Sequence, residues 1–366
     1  MNKINEGLEG VAIGTSKITF IDGLNGTLIY RGYRVEDIAS KYSFEEVAYL
    51  LLLGKFPEPE ELIVFSKKMS EARNLPKWAY QIMDLIPEKA SYMAALRTIL
   101  SAMPVKDHSY PPELEEAIKL IAAVPVIIAY LFNKRKGRQF REPDMSLGHV
   151  ENYLYMLLGE KPLPEKIKLL ETYLILSMDH SINASTFTAR VVTSTEADLT
   201  SSIVAAVSAL IGPLHGGAPS KVDTLLDEIG CIENAEFTIK QKLAHGERIM
   251  GFGHRVYKIY DPRGAALRSI CEKYKKFDPL LQLGLEVEPI IVKILKEEKP
   301  GRDLYTNLEF WAAAALRVSG LESGLYTPTF CLGRIVGWSA HIIEQAGKNR
   351  LIRPTILYTG SIPKES

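Results

Sequence analysis

Few cysteines and no net charge narrow what this protein can be. Its 366 residues include only Cys231, Cys271 and Cys331, and none of them belongs to a CxxC pair. A disulfide framework and a zinc ribbon are therefore disfavoured, and a reducing, cytoplasmic location is expected. Lysine and arginine total 44, and aspartate and glutamate total 44, so the formal net charge is zero. This balance argues against a basic nucleic-acid binder, and we expect no nucleic-acid partner.

Long apolar runs are also missing. The first ten residues contain no apolar segment of the kind that a signal peptide requires. The uncharged stretch 120–132 has only 13 residues and contains Pro125, whereas a helix needs about 20 apolar residues to span a bilayer. The stretch 199–220 is interrupted by hydroxyl side chains, a Gly-Pro break and His215. We predict a buried helix in each stretch and no membrane partner.

Strand signals are confined to the first forty residues. Short β-branched segments at 11–13, 17–21 and 27–30 flank the turn dipeptides Asp-Gly and Asn-Gly, which is typical of a hairpin. Beyond them the pattern is helical, and Ser43 and Glu46 form the sequence signature of a capping box. Helices are expected near 47–53, 59 onward, 76–86, 91–103, 112–133, 146–158, 164–180, 199–211, 219–229, 234–246, 264–277, 285–298, 307–319 and 326–346. The predicted class is all-α with a small N-terminal β piece.

Three of the seven histidines stand in unusual surroundings. His215 lies in the segment Gly-Pro-Leu-His-Gly-Gly-Ala, and His254 follows Gly-Phe-Gly. His180 follows an aspartate at the end of a long apolar helix. Glycines let a ligand approach the backbone closely, and a histidine in a loop is a candidate acid, base or hydrogen-bond donor. Each histidine could instead cap a helix or pack in the core.

Metal and dinucleotide motifs are weak in this sequence. HExxH is absent, and His341 with Glu344 could supply two metal ligands, although the pair fits an exposed helix face better. The segment 251–253 lacks the third glycine of GxGxxG and follows no strand. We therefore expect neither a metal nor a dinucleotide-binding fold.

Three arginines suggest recognition of an anion. Arg334 interrupts an apolar helix, Arg263 lies in an Asp-Pro-Arg-Gly loop, and Arg353 precedes a proline. A buried guanidinium needs an anionic partner, and its planar fork suits carboxylates. That partner is either a protein carboxylate or a bound polycarboxylate, and the sequence leaves both open. The basic run 134–141 is typical of a solvated loop but could also bind phosphate.

Five ordered motifs resemble citrate synthase, especially the shorter dimeric form of archaea and bacteria. They are the two histidine–glycine loops, the segment 179–190, the helix 333–341 and the segment 350–354. The resemblance implies a large domain from 1–218 and 320–366 with a small domain, 219–319, inserted. It also implies a homodimer that condenses acetyl-CoA with oxaloacetate and hydrolyses the thioester to citrate and CoA. No metal and no permanently bound cofactor are implied, because CoA enters as part of a co-substrate.

The resemblance assigns roles to individual residues. His215 would hydrogen-bond the thioester carbonyl oxygen as an enol or enolate forms, and His254 would polarise the ketone of oxaloacetate. The carboxylates of oxaloacetate and citrate would be bound by His180, Asn183, Arg263, Arg334 and Arg353. CoA would lie along Gly251, Phe252, Gly253 and Lys258, with the basic loop near Arg138 as a further phosphate contact.

The expected catalytic base departs from the family pattern. The family has an aspartate 25 residues before the helix arginine, and here Glu309 stands 25 residues before Arg334. The chemistry suits either carboxylate, but a misplacement of about 1 Å can cost roughly 10²-fold in rate. The alternatives are therefore an active citrate synthase, a 2-methylcitrate synthase using propionyl-CoA, and a weakly active or non-catalytic ligand-binding paralogue. A zinc hydrolase that uses the histidines is the contrasting hypothesis.

Overall fold

The small sheet forms at the N-terminus, as the turn signals predict. The computed structural model describes residues 4–103, 109–215 and 218–362, with the backbone alone for 218–220. Strands β1 (Thr19–Asp22), β2 (Thr27–Tyr30) and β3 (Tyr33–Arg34) pair antiparallel in that order. Asp22 accepts hydrogen bonds from two backbone N–H groups of the β1–β2 turn and so fixes the hairpin.

Helices build the rest of the described chain, which confirms the all-α class. In chain order they are α1 (Val35–Ile38), α2 (Phe44–Leu53), α3 (Pro59–Glu71), α4 (Lys77–Leu85), α5 (Tyr92–Ser101), α6 (Leu114–Arg135), α7 (His149–Leu158), α8 (Pro164–Ser177), α9 (Ala184–Thr193), α10 (Leu199–Leu210), α11 (Ala218–Ile229), α12 (Ile232–Ala244), α13 (Pro262–Lys273), α14 (Pro279–Glu298), α15 (Leu308–Val318) and α16 (Tyr326–Gly347). The predicted capping box is present, because Ser43 and Glu46 each accept the other's backbone N–H at the start of α2.

Three helices differ from the predicted pattern, the first being the short α1, which was not expected. Helix α9 was not expected as a separate element, and it begins at Asn183, whose side chain accepts the Thr186 N–H. Helix α14 begins at Pro279 rather than near 285, with Asp278 as its N-cap. Of the two uncharged stretches, 120–132 lies within α6 and the first half of 199–220 forms α10. None of the helices in the described ranges is both long enough and apolar enough to cross a membrane.

Helix α16 forms the centre of the fold. It packs against α2, α6, α8, α9 and α10, and nearly all of its side chains are buried. Helices α13 and α15 pack against each other, and both also contact α8. This arrangement brings the α8–α9 turn, the loop before α13, the start of α15 and the middle of α16 to one place. The three cysteines are free thiols, exposed at Cys231 and buried at Cys271 and Cys331.

Candidate active site

His180 is presented by a tight turn between α8 and α9. Asp179 is fully buried, and its Oδ2 accepts the backbone N–H of Ser181 at 3.0 Å. Ser181 has a φ of +50°, a conformation that a side chain of its type rarely adopts. The hydroxyl of Tyr30 accepts the Asp179 N–H and donates to the Asp179 carbonyl oxygen at 2.8 Å. The aspartate and the tyrosine therefore fix this turn from both sides.

The His180 imidazole is neutral and faces two other rings. Its Nε2 lies 3.1 Å from the Tyr257 hydroxyl, and its ring centroid lies 5.7 Å from that of His254. Burial, followed by the positive charges of Arg263 and Arg334, lowers the pKa of His180 well below its usual value. A neutral imidazole beside two cations can hydrogen-bond an anionic ligand without adding a third charge.

The protonation of His254 follows from its backbone contacts. Its Nδ1 accepts the N–H groups of Val256 at 3.1 Å and Tyr257 at 3.2 Å. Burial and the Arg263 charge lower the pKa of His254 to about 4, so the ring is neutral with its proton on Nε2. That Nε2 lies 3.2 Å from Nη2 of Arg263. Because both groups are donors, the contact is not a hydrogen bond, and one ligand oxygen could accept from both.

Arg263 is oriented by the residue that begins its helix. Its Nε and Nη2 donate to the two carboxylate oxygens of Asp261 at 3.0 and 2.8 Å. Asp261 also accepts the backbone N–H of Leu308 at 3.1 Å, which joins α13 to the first residue of α15. Burial raises the pKa of Asp261, but the Arg263 charge and the hydrogen bonds from Arg263 and the Leu308 N–H together outweigh burial, and the net shift is downward. Asp261 therefore stays ionised and fixes the plane of the guanidinium.

Arg334 is a buried cation that forms no ion pair with any of the described residues. It is 2% exposed in the middle of α16, and its Nε donates to the Ser177 carbonyl oxygen at 2.7 Å. Its guanidinium lies 4.5 Å from the ring centroid of Phe330. None of the ion pairs within the described ranges involves Arg334. Of the two partners that the sequence left open, an internal carboxylate is therefore not found among those residues, and a bound anion would meet the need.

Glu309 lies in the first turn of α15. The side chain of Asn307 caps this helix by accepting the Glu309 N–H at 2.9 Å. The segment before the cap pairs with the loop of His254, because Phe252 and Thr306 form a β-bridge. The Glu309 carboxyl is half-buried, and burial raises its pKa to about 7, against the opposing charges of the site arginines. A carboxyl with this pKa can accept and return a proton near neutral pH.

His215 is held through the hydroxyl of Ser185. Ser185 donates to Asn183 Oδ1 at 2.7 Å and accepts the indole N–H of Trp338 at 3.0 Å. Its remaining partner, His215 Nε2 at 2.7 Å, must then be the donor. Burial and the Arg334 charge lower the pKa of His215 to about 4, so the ring is neutral with Nδ1 unprotonated.

The glycines of the His254 loop have a structural reason. Gly251 and Gly253 have φ values of +87° and +78°, and a Cβ at either would lie within 2.9 Å of Phe310 or Leu304. These glycines therefore let the loop approach the start of α15. The Lys258 ammonium donates to a carbonyl oxygen of its own loop, and its backbone N–H donates to the β1–β2 turn at 2.9 Å. Contacts of this loop with CoA remain a prediction.

Six of the residues to which the resemblance assigns catalytic or carboxylate-binding roles are connected by the contacts and electrostatic effects above. They are His180, His215, His254, Arg263, Glu309 and Arg334. Asn183 joins them through Ser185. Arg353 does not, because it is exposed in the extended segment after α16. A single chain therefore does not bring Arg353 to this site.

Sequence reasoning missed three residues of the site. Tyr257 contacts His180, Ser185 contacts His215, and Asp261 orients Arg263. All three stand within the motifs that drew attention to their neighbours, so proximity in the sequence was the available signal. The sequence could not show which of these residues contact each other, because every contact except that between Asp261 and Arg263 joins segments that are distant in the chain.

The interpretation of His341 and Glu344 as an exposed helix face is wrong. His341 is fully buried, with its ring nitrogens against Asp179 and Arg190, and Glu344 pairs with Arg190. Helix α16 is covered on all sides, so the spacing i, i+3 does not mark a solvent face. Within the described ranges, no three His, Cys, Asp or Glu side chains cluster as a metal site would require.

The basic run is only partly solvated. Lys134 donates to the Asp84 carbonyl oxygen in α4 at 2.7 Å, and Arg135 donates to the Ala90 carbonyl oxygen in the α4–α5 turn at 2.6 Å. Lys136 pairs with Glu322 at 2.6 Å. These three side chains therefore complete the packing at the end of α6. Arg138 remains exposed, and its phosphate contact stays a prediction.

Comparison with known proteins decides the family. A family profile described as the citrate synthase C-terminal domain matches residues 7–355. The chain belongs to the citrate synthase family. The citrate synthase of Deinococcus radiodurans is 39% identical over 99% of this chain and 97% of its own length. A 2-methylcitrate synthase of Mycobacterium tuberculosis is 36% identical over 98% of this chain and 91% of its own.

A solved structure agrees with this assignment. It is the citrate synthase of Thermoplasma acidophilum, described as a ternary complex with carboxymethyl coenzyme A and oxaloacetate. The two folds superpose with a TM-score of 0.87 at 31% identity, covering 100% of this chain and 98% of that one. This member of the family is accordingly a condensing enzyme of the transferase class.

Proposed function

We propose that this member of the citrate synthase family condenses acetyl-CoA with oxaloacetate and hydrolyses the resulting thioester to citrate and CoA. The observation that carries the proposal is the convergence of three donor groups that have spare N–H groups among the described residues: the Nε2–H of His254, the outer face of Arg263 and the buried guanidinium of Arg334. A four-carbon keto-diacid offers a ketone and two carboxylates to these donors. Bidentate arginine contacts suit the carboxylates, and His254 suits the ketone.

Glu309 is proposed as the base of the first step. Its carboxylate removes a proton from the methyl group of acetyl-CoA, and the resulting enol or enolate attacks the ketone carbon of oxaloacetate. The new carbon–carbon bond leaves negative charge on the ketone oxygen, where His254 and Arg263 donate. Water then cleaves the carbon–sulfur bond, releasing CoA and citrate. A pKa of about 7 supports Glu309 as an acceptor at neutral pH.

His215 is proposed to bind the thioester oxygen, which requires its proton on Nδ1. In the structure Nε2 donates to Ser185, so the two tautomers must exchange. If the Ser185 hydroxyl turns its proton from Asn183 to His215, Nε2 becomes an acceptor and Nδ1 can donate. A substrate carboxylate would accept from Asn183 Nδ2, which in the structure makes a long contact of 3.4 Å with the Ser181 carbonyl oxygen, in keeping with the predicted role of Asn183. The orientation of the Ser185 hydroxyl therefore sets the tautomer of His215.

A homodimer is proposed from the exposed C-terminal segment. Five apolar side chains beyond α16 are more than half exposed, namely Leu351, Ile356, Leu357, Tyr358 and Ile362. A second copy that covered this segment would remove them from water and could bring Arg353 to a substrate carboxylate. Sedimentation at micromolar concentration is expected to give twice the chain mass. A monomer would leave Arg353 without its proposed role.

Two further properties are proposed on physical grounds. The insert 219–319 carries His254, Arg263 and Glu309, so its closure onto the rest would exclude water before the reaction. Scattering profiles with and without oxaloacetate should differ, and identical profiles would argue against closure. The free cysteines support a reducing, cytoplasmic location, which cell fractionation tests.

Release of CoA thiol separates the candidate functions. We expect oxaloacetate-dependent thiol release from acetyl-CoA, with a lower kcat/KM for propionyl-CoA. A reversed preference would make the chain a 2-methylcitrate synthase. Calorimetric binding of oxaloacetate without thiol release from either acyl-CoA would indicate a non-catalytic paralogue and refute the proposal.

A further inference from the structure

Behind His180 lies a buried polar chain that the proposed mechanism does not use. It consists of Arg190 on α9, His341 on α16 and Asp179 in the α8–α9 turn, and we call it the Arg190 relay. His341 and Asp179 are fully buried, and Arg190 is 7% exposed. The three residues come from three different segments of the chain. Together they reach the residue immediately before His180.

The hydrogen bonds of the relay run in one direction only. Arg190 Nη1 lies 2.8 Å from His341 Nδ1, and arginine can only donate. His341 Nδ1 must therefore be unprotonated, and the ring proton must be on Nε2. That Nε2 lies 3.3 Å from Asp179 Oδ2, which can only accept while it is ionised. The contacts consequently fix one tautomer and one orientation of the His341 ring.

Arg190 is itself held in place at the outer end. Its Nε donates to Gln345 Oε1 at 3.1 Å, and its Nη1 donates to Glu344 Oε2 at 2.9 Å. Glu344 in turn accepts the backbone N–H of Lys17 at 2.8 Å. The guanidinium therefore cannot rotate away from His341 without breaking bonds to α16. The outer end of the relay is rigid.

The inner end holds the turn that presents His180. The same Asp179 Oδ2 that contacts His341 accepts the N–H of Ser181, the residue with positive φ. The backbone of α16 is also close, since a Cβ at Gly337 would lie 2.6 Å from Asp179 Oδ1. A shift of the Asp179 carboxylate would therefore release the turn on either side of His180.

We propose that His341 is a positioning residue, which fixes His180 toward the substrate by orienting Asp179. It does not touch substrate in this account, and it acts only through the turn. The inference rests on the proposed function, because it assigns oxaloacetate to His180. It predicts an effect on oxaloacetate binding rather than on the acyl-CoA.

The test compares two buried histidines. His341→Phe removes both relay contacts and keeps a ring, whereas His341→Gln keeps one donor and one acceptor. His149→Phe is the matched control, since His149 is also fully buried but stacks on Phe44, and neither of its ring nitrogens has a hydrogen-bond partner in the described part of the chain. We expect the oxaloacetate KM to rise about tenfold in His341→Phe, with the acetyl-CoA KM unchanged. His341→Gln should stay within about threefold, and His149→Phe should match wild type.

A double-mutant cycle with His180→Ala distinguishes positioning from general loss of stability. If the relay acts through His180, His341→Phe should add less than about twofold in the His180→Ala background. A full tenfold addition there, or equal increases in both KM values, would overturn the proposal.

An independent measurement does not depend on turnover. In protein labelled with 15N at histidine, His341 should show the Nε2–H tautomer, and the His180 signals should shift in His341→Phe but not in His149→Phe. The opposite tautomer, or unchanged His180 signals, would contradict the relay. If wild type neither binds oxaloacetate nor releases CoA, the proposed function fails, and this measurement still decides the positioning claim.

Discussion

Replacing Glu309 tests the proposed base directly. Glu309→Gln keeps the size and polarity of the side chain but cannot accept the methyl proton. Loss of a general base typically costs 10²–10⁴-fold in rate, so kcat for CoA release should fall by at least about 10²-fold. Glu309→Asp restores the carboxylate of the family pattern, and we expect its turnover to equal or exceed wild type.

The pH dependence of kcat/KM provides a second test of Glu309 as the base. With a pKa of about 7, Glu309 is about one-tenth ionised at pH 6 and about nine-tenths ionised at pH 8. The wild-type kcat/KM for acetyl-CoA should therefore rise about tenfold over this range. The residual rate of Glu309→Gln should lose that dependence.

The matched control is Glu60→Gln. Glu60 is likewise the second residue of a helix, following the N-cap Glu58, but it is exposed on α3. The substitution Glu60→Gln should leave both the rate of CoA release and its pH profile unchanged. A fully active Glu309→Gln, or one that keeps the wild-type profile, would show that another group removes the proton.

Three further predictions concern the framework of the site. Gly337→Ala should destabilise the fold by about 1–3 kcal/mol in thermal unfolding, because the new Cβ would lie 2.3 Å from the Met178 carbonyl oxygen; Gly347→Ala, with nothing within 4 Å, should not. Asp261→Asn leaves the buried Arg263 without its counter-ion. We therefore expect the oxaloacetate KM to rise at least about tenfold and the melting temperature to fall. An unchanged KM would contradict the orienting role of Asp261. Burial lowers the pKa of His149, so the unfolded state binds the extra proton and stability should fall as pH drops below about 6.5. Urea unfolding at pH 7 and pH 5 should show a smaller loss in His149→Phe than in wild type, and equal losses would refute this origin.

Local sequence signals predicted most of the fold. The turn dipeptides predicted the hairpin, and the spacing of Ser43 and Glu46 predicted the start of α2, where the two residues form a capping box. Helix α9 was missed because hydroxyl side chains dilute its apolar pattern, although Asn183 caps it. Its stability comes from packing against α10 and α16, which no window of sequence contains.

The candidate site was predictable residue by residue but not as a set of contacts. The sequence showed histidines flanked by glycines and an arginine in an apolar helix, both of which are unusual. The family resemblance then assigned roles to these residues. The burial of His341 was not predictable, because an amphipathic interpretation of α16 fails when partners cover every face. For Arg353 the resemblance assigned a substrate-binding role, but in a single chain its side chain is exposed away from the site.

The central claim is that His254, Arg263 and Arg334 together receive a keto-diacid. A crystal structure of the protein with oxaloacetate tests it most directly. We predict one ligand oxygen within hydrogen-bond distance of both His254 Nε2 and Arg263 Nη2, and a carboxylate on Arg334. A ligand bound elsewhere, or a site in which His254 Nε2 meets no ligand oxygen, would contradict the account.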